Sequence, residues 1–502
     1  MCINNPNNSK LHKLLYNELI RVIRLGGYMS NDMMLDNKGN LDTLLDPDNI
    51  AIFGVSLSDD TKMGNIIFQN VKNSGRDIYA INPKAEDEEG FYRSINDVPE
   101  KIDLAILAMP SKYALSAVKD CIEAGVGSII LVAGGFGEVD EKGKEMEKEI
   151  KDMLEGTGVR LLGPNTMGIL VPPVDLDTFF LPEERIKRPE KGGIAFISQS
   201  GFMATPFMET LCAHGTGLSG FVGIGNRLDI DEVELLEYFA EDDETKVITL
   251  YLESLSDGRA LYEKARKIIK DKPIVLLKGG RSKVGKQATQ SHTGSLASTS
   301  DRIIRGVSKQ AGIIRAYDER DLTDFAEALA YNKPITGENI AVVSSAGGTG
   351  VIATDYIEDT NPGLGLKMPS FSEETEERLK EVTLPIASVS NPIDLTANVT
   401  DDMVGDVLEI LQDEDDIDGI LLYALFQSPY VGEGMVEHVA KWYHEGDKPI
   451  VVACIGDVTG DKWRKKFNEH QIPVYPSTNR AIKCLDVLVQ RGKILENFSG
   501  ED

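Results

Sequence analysis

One of the six histidines in the chain, His292, lies in a segment rich in glycine, serine, threonine and lysine, residues 279–295. A neutral imidazole is a nucleophile at physiological pH, and its phosphoramidate can pass a phosphoryl group on. Hydroxyl and backbone N–H groups nearby, with Thr293 and Gly294 next in the chain, could hold the transferred oxyanion. We expect a long loop without secondary structure here, a feature that is usually functional. The spacing alone also fits a surface-loop histidine without a chemical role.

Two further features supply what a phosphorylated histidine requires. Glu253 ends an apolar run, residues 248–252, and its carboxylate is a candidate acceptor for the second ring nitrogen. Ser200 and Gly201 end another apolar run and precede a predicted helix, whose first backbone N–H groups would face an anion. The alternatives are a partly exposed strand end for Glu253 and a simple helix cap for Ser200.

A third set of residues follows the predicted strands of the N-terminal half. The first turn leads into a helix, which directs N–H groups toward an anion. The turn lacks the GxGxxG pattern of dinucleotide sites, and the next strand ends in Asn-Pro-Lys rather than in the acid that binds the ribose of NAD. A lysine there suits a ribose that carries phosphate, as in CoA or NADP, and a plain tight turn is the alternative. The candidate binding positions are Gly54, Ser56, Lys62, Gly64, Asn82, Pro83, Lys84, Met109, Pro110, Gly134 and Gly135.

The elements that must position these residues follow from hydrophobic patterning. Apolar runs alternate with helical stretches from Ile50 onward, which predicts a parallel sheet covered by helices on both faces. Further along, one region matches a later one in order, which predicts an internal duplication of a smaller doubly wound unit. The matching segments are 194–201 with 340–347, 248–251 with 420–423, and 272–275 with 448–451. The predicted divisions are an extension over 1–43, then domains over 44–188, 189–333 and 334–502.

The composition argues against several classes of protein. The chain of 502 residues has 81 acidic and 53 basic side chains and a net charge of −28, whereas a nucleic-acid partner requires a basic face. No apolar run reaches the roughly 18 residues that a membrane-spanning helix needs, and the N-terminus lacks a secretory signal pattern. The five cysteines are scattered without a CxxC pair, which fits a reducing cytoplasm and no metal site.

Together these residues resemble the ADP-forming acyl-CoA synthetases, the acetate–CoA ligase relatives of succinyl-CoA synthetase. The resemblance extends over residues 44–489 and is most specific over 279–297, which is similar to the phosphohistidine loop of the family. It implies an α/β fold in which a Rossmann-like CoA-binding domain precedes two flavodoxin-like, succinyl-CoA ligase-like doubly wound domains, the second a degenerate copy. It also implies that His292 carries the phosphoryl group and that Glu253 holds the phosphohistidine. The phosphate-binding positions would be Ser200, Gly201, Thr293 and Gly294.

The resemblance further implies CoA and phosphate on this chain, and ADP or ATP with magnesium on a separate ATP-grasp β subunit in a cytoplasmic α2β2 assembly. The implied reaction is acyl-CoA + phosphate + ADP ⇌ carboxylate + CoA + ATP, with a small carboxylic acid as substrate. One departure is Thr166, which follows Gly-Pro-Asn where many relatives have cysteine or serine. Two alternatives stay open: a CoA-binding regulatory or scaffold protein with an unused histidine, and an NADP-dependent oxidoreductase built on the same sheet.

Overall fold

The computed structural model describes residues 41–86, 89–293, 300–358 and 365–499, and for residues 290–293 it describes the backbone alone. The N-terminal extension predicted over residues 1–43 lies almost wholly outside the described residues. The described chain forms three sheets in which parallel strands alternate with helices. The predicted fold class is therefore confirmed.

Six strands form the first sheet: β1 (Asn49–Phe53), β2 (Asp77–Ile81), β3 (Phe91–Tyr92), β4 (Leu104–Leu107), β5 (Ser128–Leu131) and β6 (Arg160–Leu162). Its helices are α1 (Asp42–Leu45), α2 (Met63–Val71), α3 (Ala114–Glu123) and α4 (Glu141–Leu154). All strand pairs are parallel, in the order β3-β2-β1-β4-β5-β6. Because the order reverses between β1 and β4, a crevice opens there at the carboxyl ends of the strands.

Seven strands form the second sheet: β7 (Ile169–Val171), β8 (Leu176–Asp177), β9 (Lys191–Ser198), β10 (Leu218–Gly223), β11 (Val247–Leu252), β12 (Ile274–Lys278) and β13 (Ile314–Ala316). Its helices are α5 (Ala204–His214), α6 (Glu232–Glu241), α7 (Gly258–Ile268), α8 (Lys283–Thr293), α9 (Asp301–Ala311) and α10 (Glu319–Tyr331). The order is β13-β12-β11-β9-β10-β7-β8, and β7 pairs antiparallel with β10 and β8. The short strands β7 and β8 come from residues that the sequence assigned to the first domain.

Five parallel strands form the third sheet: β14 (Ile340–Ser344), β15 (Ile393–Asp394), β16 (Gly419–Tyr423), β17 (Ile450–Ala453) and β18 (Val474–Tyr475). Its helices are α11 (Gly347–Glu358), α12 (Glu373–Val382), α13 (Asp401–Asp413), α14 (Glu433–Glu445), α15 (Val458–Glu469) and α16 (Thr478–Phe498). The order β15-β14-β16-β17-β18 repeats the order β10-β9-β11-β12-β13 of the second sheet. This shared topology supports the predicted duplication.

The second and third sheets share a core through α10 and α16. Leu322 and Phe325 on α10 are buried in one hydrophobic cluster with Leu488 on α16. Arg480 on α16 reinforces the contact, because its Nε and Nη2 donate to the two carboxylate oxygens of Asp324 at 2.6 and 2.5 Å. In the part of the chain that the structure describes, no helix is long and apolar enough to cross a membrane.

Candidate active site

The carboxyl edge of the first sheet is built around the turn after β1. A Cβ atom on Gly64 would lie 2.5 Å from the carbonyl oxygen of Gly54, and Gly54 itself adopts φ +86°. Both positions therefore require glycine. This close approach places the N-terminus of α2 at the strand ends, an arrangement that binds anionic ligands in open α/β sheets.

Two asparagines brace that turn. Asn82 Nδ2 donates to the carbonyl oxygen of Val55 at 2.7 Å, and its Oδ1 accepts from the backbone N–H of Lys84 at 2.9 Å. Asn65 accepts from the N–H of Ser56 at 2.7 Å and donates back to the Ser56 carbonyl oxygen at 2.9 Å. Asn82 thus uses both of its side-chain polar atoms to fix the turn and to position Lys84.

Two lysine ammonium groups are accessible beside the turn. Lys62 is the N-cap residue of α2, and its side chain is 62% exposed. Its Nζ lies 3.3 Å from Asp59 Oδ2. Pro83 and Lys84 follow β2 and are exposed. Met109 and Pro110 lie just after β4, where Met109 is half-buried and Pro110 is exposed. The structure thus brings these predicted CoA contacts to one edge of one sheet.

The glycine loop after β5 already holds a carboxylate of the protein. Gly135 N–H donates to Glu138 Oε1 at 2.5 Å, and Phe136 N–H donates to both oxygens at 3.2 Å. Asn226 Nδ2 donates to Glu138 Oε2 at 2.7 Å. Burial raises the pKa of Glu138, but the hydrogen bonds from Gly135 and Asn226 outweigh burial and the net pKa is lowered. Gly134 and Gly135 can therefore contact a ligand, but the Gly135 N–H is already engaged.

At the carboxyl edge of the second sheet, Gln199 fixes the backbone that carries Glu253. Gln199 Oε1 accepts from the N–H of Glu253 at 2.8 Å and from the N–H of Ser254 at 3.1 Å. These three residues are 3 to 5% exposed. A buried side-chain amide thus supplies the acceptor that two buried N–H groups require.

Arg227 secures the same segment from the loop after β10. Its Nη1 and Nη2 donate to the carbonyl oxygen and Oγ of Ser254 at 3.2 and 2.5 Å. Its charge is balanced by Glu232, which is fully buried and 2.9 Å from Nη1. The backbone after β11 is therefore held on two sides.

Glu253 and Lys278 lie buried at neighbouring strand ends, 3% and 1% exposed. Tyr251 Oη donates to Glu253 Oε1 at 3.2 Å, and Lys278 Nζ donates to the Glu253 carbonyl oxygen at 2.6 Å and to that of Gly279. Burial lowers the pKa of Lys278 to about 8, although the charge of Glu253 acts in the opposite direction. The edge thus carries a carboxylate and a lysine with an unusually low pKa.

The loop predicted over residues 279–295 is wrong for residues 283–293, because α8 (Lys283–Thr293) is a helix. Ser282 caps it, since its Oγ accepts from the N–H of Gly285 at 3.0 Å. Lysine, glutamine and alanine follow and favour the helix. A Cβ on Gly280 would lie 2.9 Å from Thr289 Cγ2, so a glycine lets α8 pack against its own entry turn.

His292 is the penultimate residue of α8 and Thr293 is the last. Their side chains, and Gly294, lie outside what the structure describes, so their roles stay predictions. Ser200 precedes the 3-10 helix Gly201–Met203, which leads into α5, and its side chain makes no capping hydrogen bond. Ser200 is thus the N-cap residue of this helix without a side-chain cap, and its binding of phosphate stays a prediction.

Sequence reasoning missed three residues of this edge: Gln199, Arg227 and Lys278. Gln199 lies directly before Ser200 and Gly201, and its side chain gave no pattern that indicates a role. Lys278 ends an otherwise apolar strand that is buried on every residue, which was a usable signal, because a buried lysine is rare. Arg227 lies in a loop without a pattern.

Comparison with known proteins adds independent evidence. Three family models match in succession: a CoA binding domain over residues 48–172, a succinyl-CoA ligase like flavodoxin domain over 191–329, and a ligase-CoA domain over 340–493. A solved structure of a dinucleotide-forming acetyl-coenzyme A synthetase 1 from Ca. Korarchaeum cryptofilum, in complex with phosphate and ADP, superposes with a TM-score of 0.83. It is 32% identical, and the match covers 92% of this chain and 98% of that one.

Two curated relatives agree. The alpha subunit of ADP-forming acetate–CoA ligase I from Pyrococcus furiosus is 32% identical over 464 residues, 90% of this chain and 98% of the relative. An ADP-forming acetate–CoA ligase from Methanocaldococcus jannaschii is 34% identical over 460 residues, 90% of this chain and 64% of the relative. The predicted resemblance is confirmed: the chain belongs to the ADP-forming acyl-CoA synthetase family, among its acetate–CoA ligase alpha subunits.

Proposed function

We propose that this chain is the CoA-binding, phosphohistidine-carrying subunit of an acyl-CoA synthetase that converts acyl-CoA, phosphate and ADP into carboxylate, CoA and ATP. The proposal rests on the arrangement of residues at the carboxyl edge of the second sheet. There a buried glutamate, Glu253, and a buried lysine, Lys278, lie at neighbouring strand ends, and α8, which contains His292, follows β12 directly. Family membership supports the same activity.

The chemistry has two transfers on this chain. Phosphate attacks the thioester carbonyl, the C–S bond breaks, and CoA leaves as a thiol with an acyl phosphate as the other product. His292 then attacks phosphorus, the P–O bond to the acyl group breaks, and the carboxylate leaves. Glu253 would accept a hydrogen bond from the second ring nitrogen and so fix the imidazole and stabilise its positive charge. The phosphohistidine finally passes its phosphoryl group to ADP.

CoA fits the carboxyl edge of the first sheet. The ammonium groups of Lys62 and Lys84 are accessible there beside the N-terminus of α2, and both can bind phosphate oxygens. Met109 and Gly134 would line the path of the cofactor from that end. In a chain with a net charge of −28, local cations of this kind are what a highly anionic cofactor requires.

The nucleotide site is proposed for a separate ATP-grasp subunit with magnesium, in a cytoplasmic α2β2 assembly. The support is that this chain corresponds to 64% of the length of the M. jannaschii relative, whereas it corresponds to nearly the whole P. furiosus alpha subunit. Four cysteines in the described residues are free thiols, which suits a reducing compartment.

The decisive test is labelling with radioactive phosphate. With acetyl-CoA or a related thioester, the chain should acquire a label that is stable to alkali and labile to acid, as phosphohistidine is. His292→Ala should abolish the label and lower turnover of the complete enzyme by on the order of 10³-fold or more. CoA affinity should stay nearly unchanged, because CoA binds at another sheet.

His470→Ala is the matched control, because His470 follows α15 of the third sheet and should leave labelling intact. Full labelling of His292→Ala would refute the assignment of the phosphohistidine to His292. Labelling of His470 would place the phosphohistidine at His470 instead. A wild-type chain that binds CoA but never labels would favour the regulatory or scaffold alternative. ADP should discharge the label only when the partner subunit is added.

The CoA site is tested by Lys84→Glu. Replacing an exposed ammonium by a carboxylate beside a phosphate should weaken CoA binding at least about tenfold, or about 1.4 kcal/mol. Calorimetry on the purified chain measures this. Lys112→Glu is the control, because Lys112 is exposed in the 3-10 helix after β4 and is not assigned to the site. Equal dissociation constants for wild type and Lys84→Glu would remove the assignment of that edge.

A further inference from the structure

One arginine beside the second-sheet edge has no role in the chemistry described so far. Arg315 lies on β13, in register with Leu276 of β12, so it shares a face of the sheet with Lys278, two residues further along β12. Its Nη2 donates to Asp301 Oδ1 at 3.1 Å. Asp301 begins α9, the helix that runs back from the carboxyl edge to β13. The guanidinium of Arg315 is therefore directed toward the carboxyl edge.

Two donors of that guanidinium are unsatisfied. The Arg315 side chain is 7% exposed, and its Nε and Nη1 are buried without a hydrogen-bond partner in the described structure. A buried donor without a partner lowers stability, and more so when it is charged. Such a cost is expected where a ligand supplies the acceptor.

The surrounding charges favour an anionic ligand. The charge of Lys278 is repelled by Arg315 and Lys286 and is attracted by Glu253 and Asp301. These five side chains carry three positive and two negative charges when all are ionised. An arriving oxyanion would bind the excess positive charge in a buried setting, where such attraction is strongest.

The third sheet shows that the fold does not require this arginine. In β18, the residue in register with Val452 is Val474, and Val452 occupies the position of Leu276 in the duplicated sheet. Val474 is therefore the counterpart of Arg315. The same position in a sheet of the same topology is therefore occupied by a neutral, apolar residue.

We propose that Arg315 binds the oxygens of a phosphate group at this edge, either as inorganic phosphate or as the phosphoryl group in transit. The proposal rests on the proposed function and names a further phosphate-binding residue for it. The two N–H donors without a partner could be satisfied by oxygen acceptors of a ligand, and a guanidinium matches phosphate in geometry and charge. Arg315 would hold phosphate while Glu253 orients the histidine.

The test uses the complete enzyme with its nucleotide-binding partner and compares Arg315→Met with wild type. In the ATP-forming direction, the KM for inorganic phosphate should rise at least about tenfold while the KM for the thioester changes less than about twofold. Inorganic phosphate should raise the melting temperature of wild type, because it binds the folded state, and this shift should be lost in Arg315→Met. Arg305→Met is the matched control, since Arg305 pairs with the same Asp301 at 3.3 Å but is 60% exposed.

An unchanged phosphate KM and an unchanged phosphate-dependent melting shift in Arg315→Met would overturn the proposal. If that variant folds poorly, Arg315→Lys keeps the charge with fewer donor directions and should give an intermediate phosphate KM; a wild-type value would contradict the proposal equally. Labelling from ATP separates the two sources: normal labelling indicates free phosphate only, and reduced labelling indicates the phosphoryl group as well. Failure of the proposed function is distinct, because wild type itself would then never be labelled.

Discussion

The second and third sheets share a topology and differ in charge at their carboxyl edges. At corresponding positions of the duplicated strands, the second sheet carries Gln199, Glu253, Lys278 and Arg315 where the third carries Ser345, Leu425, Cys454 and Val474. Among the described residues, the second sheet also has two helices between β12 and β13, α8 and α9, whereas the third has α15 between β17 and β18. At these four positions the second sheet has charged or amide side chains, whereas the third sheet has only neutral ones.

This difference separates what the fold needs from what chemistry needs. The strands of both sheets are buried runs of mainly aliphatic residues, and the third sheet adopts the same strand order without these charged residues. Buried charges lower the stability of the fold unless they are paired with an opposite charge or hydrogen-bonded. We therefore expect the charged residues at the edge of the second sheet to serve function. The direct test is to replace them by the residues found at the matching positions of the third sheet.

The largest effect should come from Glu253→Leu, which installs the side chain of the third sheet. Loss of the orienting carboxylate should lower turnover by on the order of 10³-fold, by analogy with removal of the acid that orients a catalytic histidine. Glu253→Gln should retain some phosphorylated protein but shorten its lifetime, since an amide holds an imidazolium less firmly. Labelling time courses measure both effects.

Leu425→Ala, at the matching position of the third sheet, is the control and should leave turnover within about threefold of wild type, since it touches no reacting group. If Leu425→Ala costs as much as Glu253→Leu, the two edges are not functionally different. In that case both sheets contribute to catalysis and the comparison fails.

A smaller effect concerns stability and pH at Lys278. Its folded-state pKa of about 8 lies below the ordinary value of 10.5, so between these values the unfolded chain binds a proton that the folded chain has lost. Stability conferred through this group therefore rises as the pH rises from about 8 to 10.5. Relative to Lys278→Met, wild type should gain about 2–3 kcal/mol between pH 7.5 and 10, as urea midpoints would show.

The exposed Lys283 on α8 provides the control, because Lys283→Met should follow wild type across that pH range. A constant difference between wild type and Lys278→Met would mean that Lys278 titrates as an ordinary lysine. The buried ammonium would then be fully stabilised by the carbonyl oxygens of Glu253 and Gly279.

Much of the fold could be predicted from the sequence because its central strands are continuous apolar runs. The apolar runs at 50–53, 78–81, 104–107 and 129–132 of the sequence coincide with strands β1, β2, β4 and β5 to within one residue. The short strands β7 and β8 were not predicted, because two or three residues show no periodicity. Helix α8 was missed because its glycine and hydroxyl residues resemble a loop, while its cap at Ser282 is a single hydrogen bond.

The candidate site was predicted less completely. Sequence patterns indicated Glu253, Ser200 and Lys84, which follow strands and lie at carboxyl edges, because that position depends on topology alone. They did not reveal that Asn82 braces a turn or that Glu138 occupies the glycine loop. Such roles depend on which segments meet in space, and a single sequence does not encode those distances in any local pattern.

The smallest effect should come from Gln199→Ser, again the residue of the third sheet. Gln199 Oε1 accepts hydrogen bonds from the N–H groups of Glu253 and Ser254 at 2.8 and 3.1 Å. A serine side chain is too short to reach them. Unsatisfied buried donors of this kind cost about 1–3 kcal/mol, and a loosened Glu253 should lower kcat about tenfold with little change in the KM for CoA. Gln427→Ser, at an exposed glutamine of the third sheet, should change neither quantity. A melting temperature lowered without any loss of kcat would show that Gln199 stabilises the edge but does not position Glu253, whose backbone segment would then be held by Arg227 and Lys278.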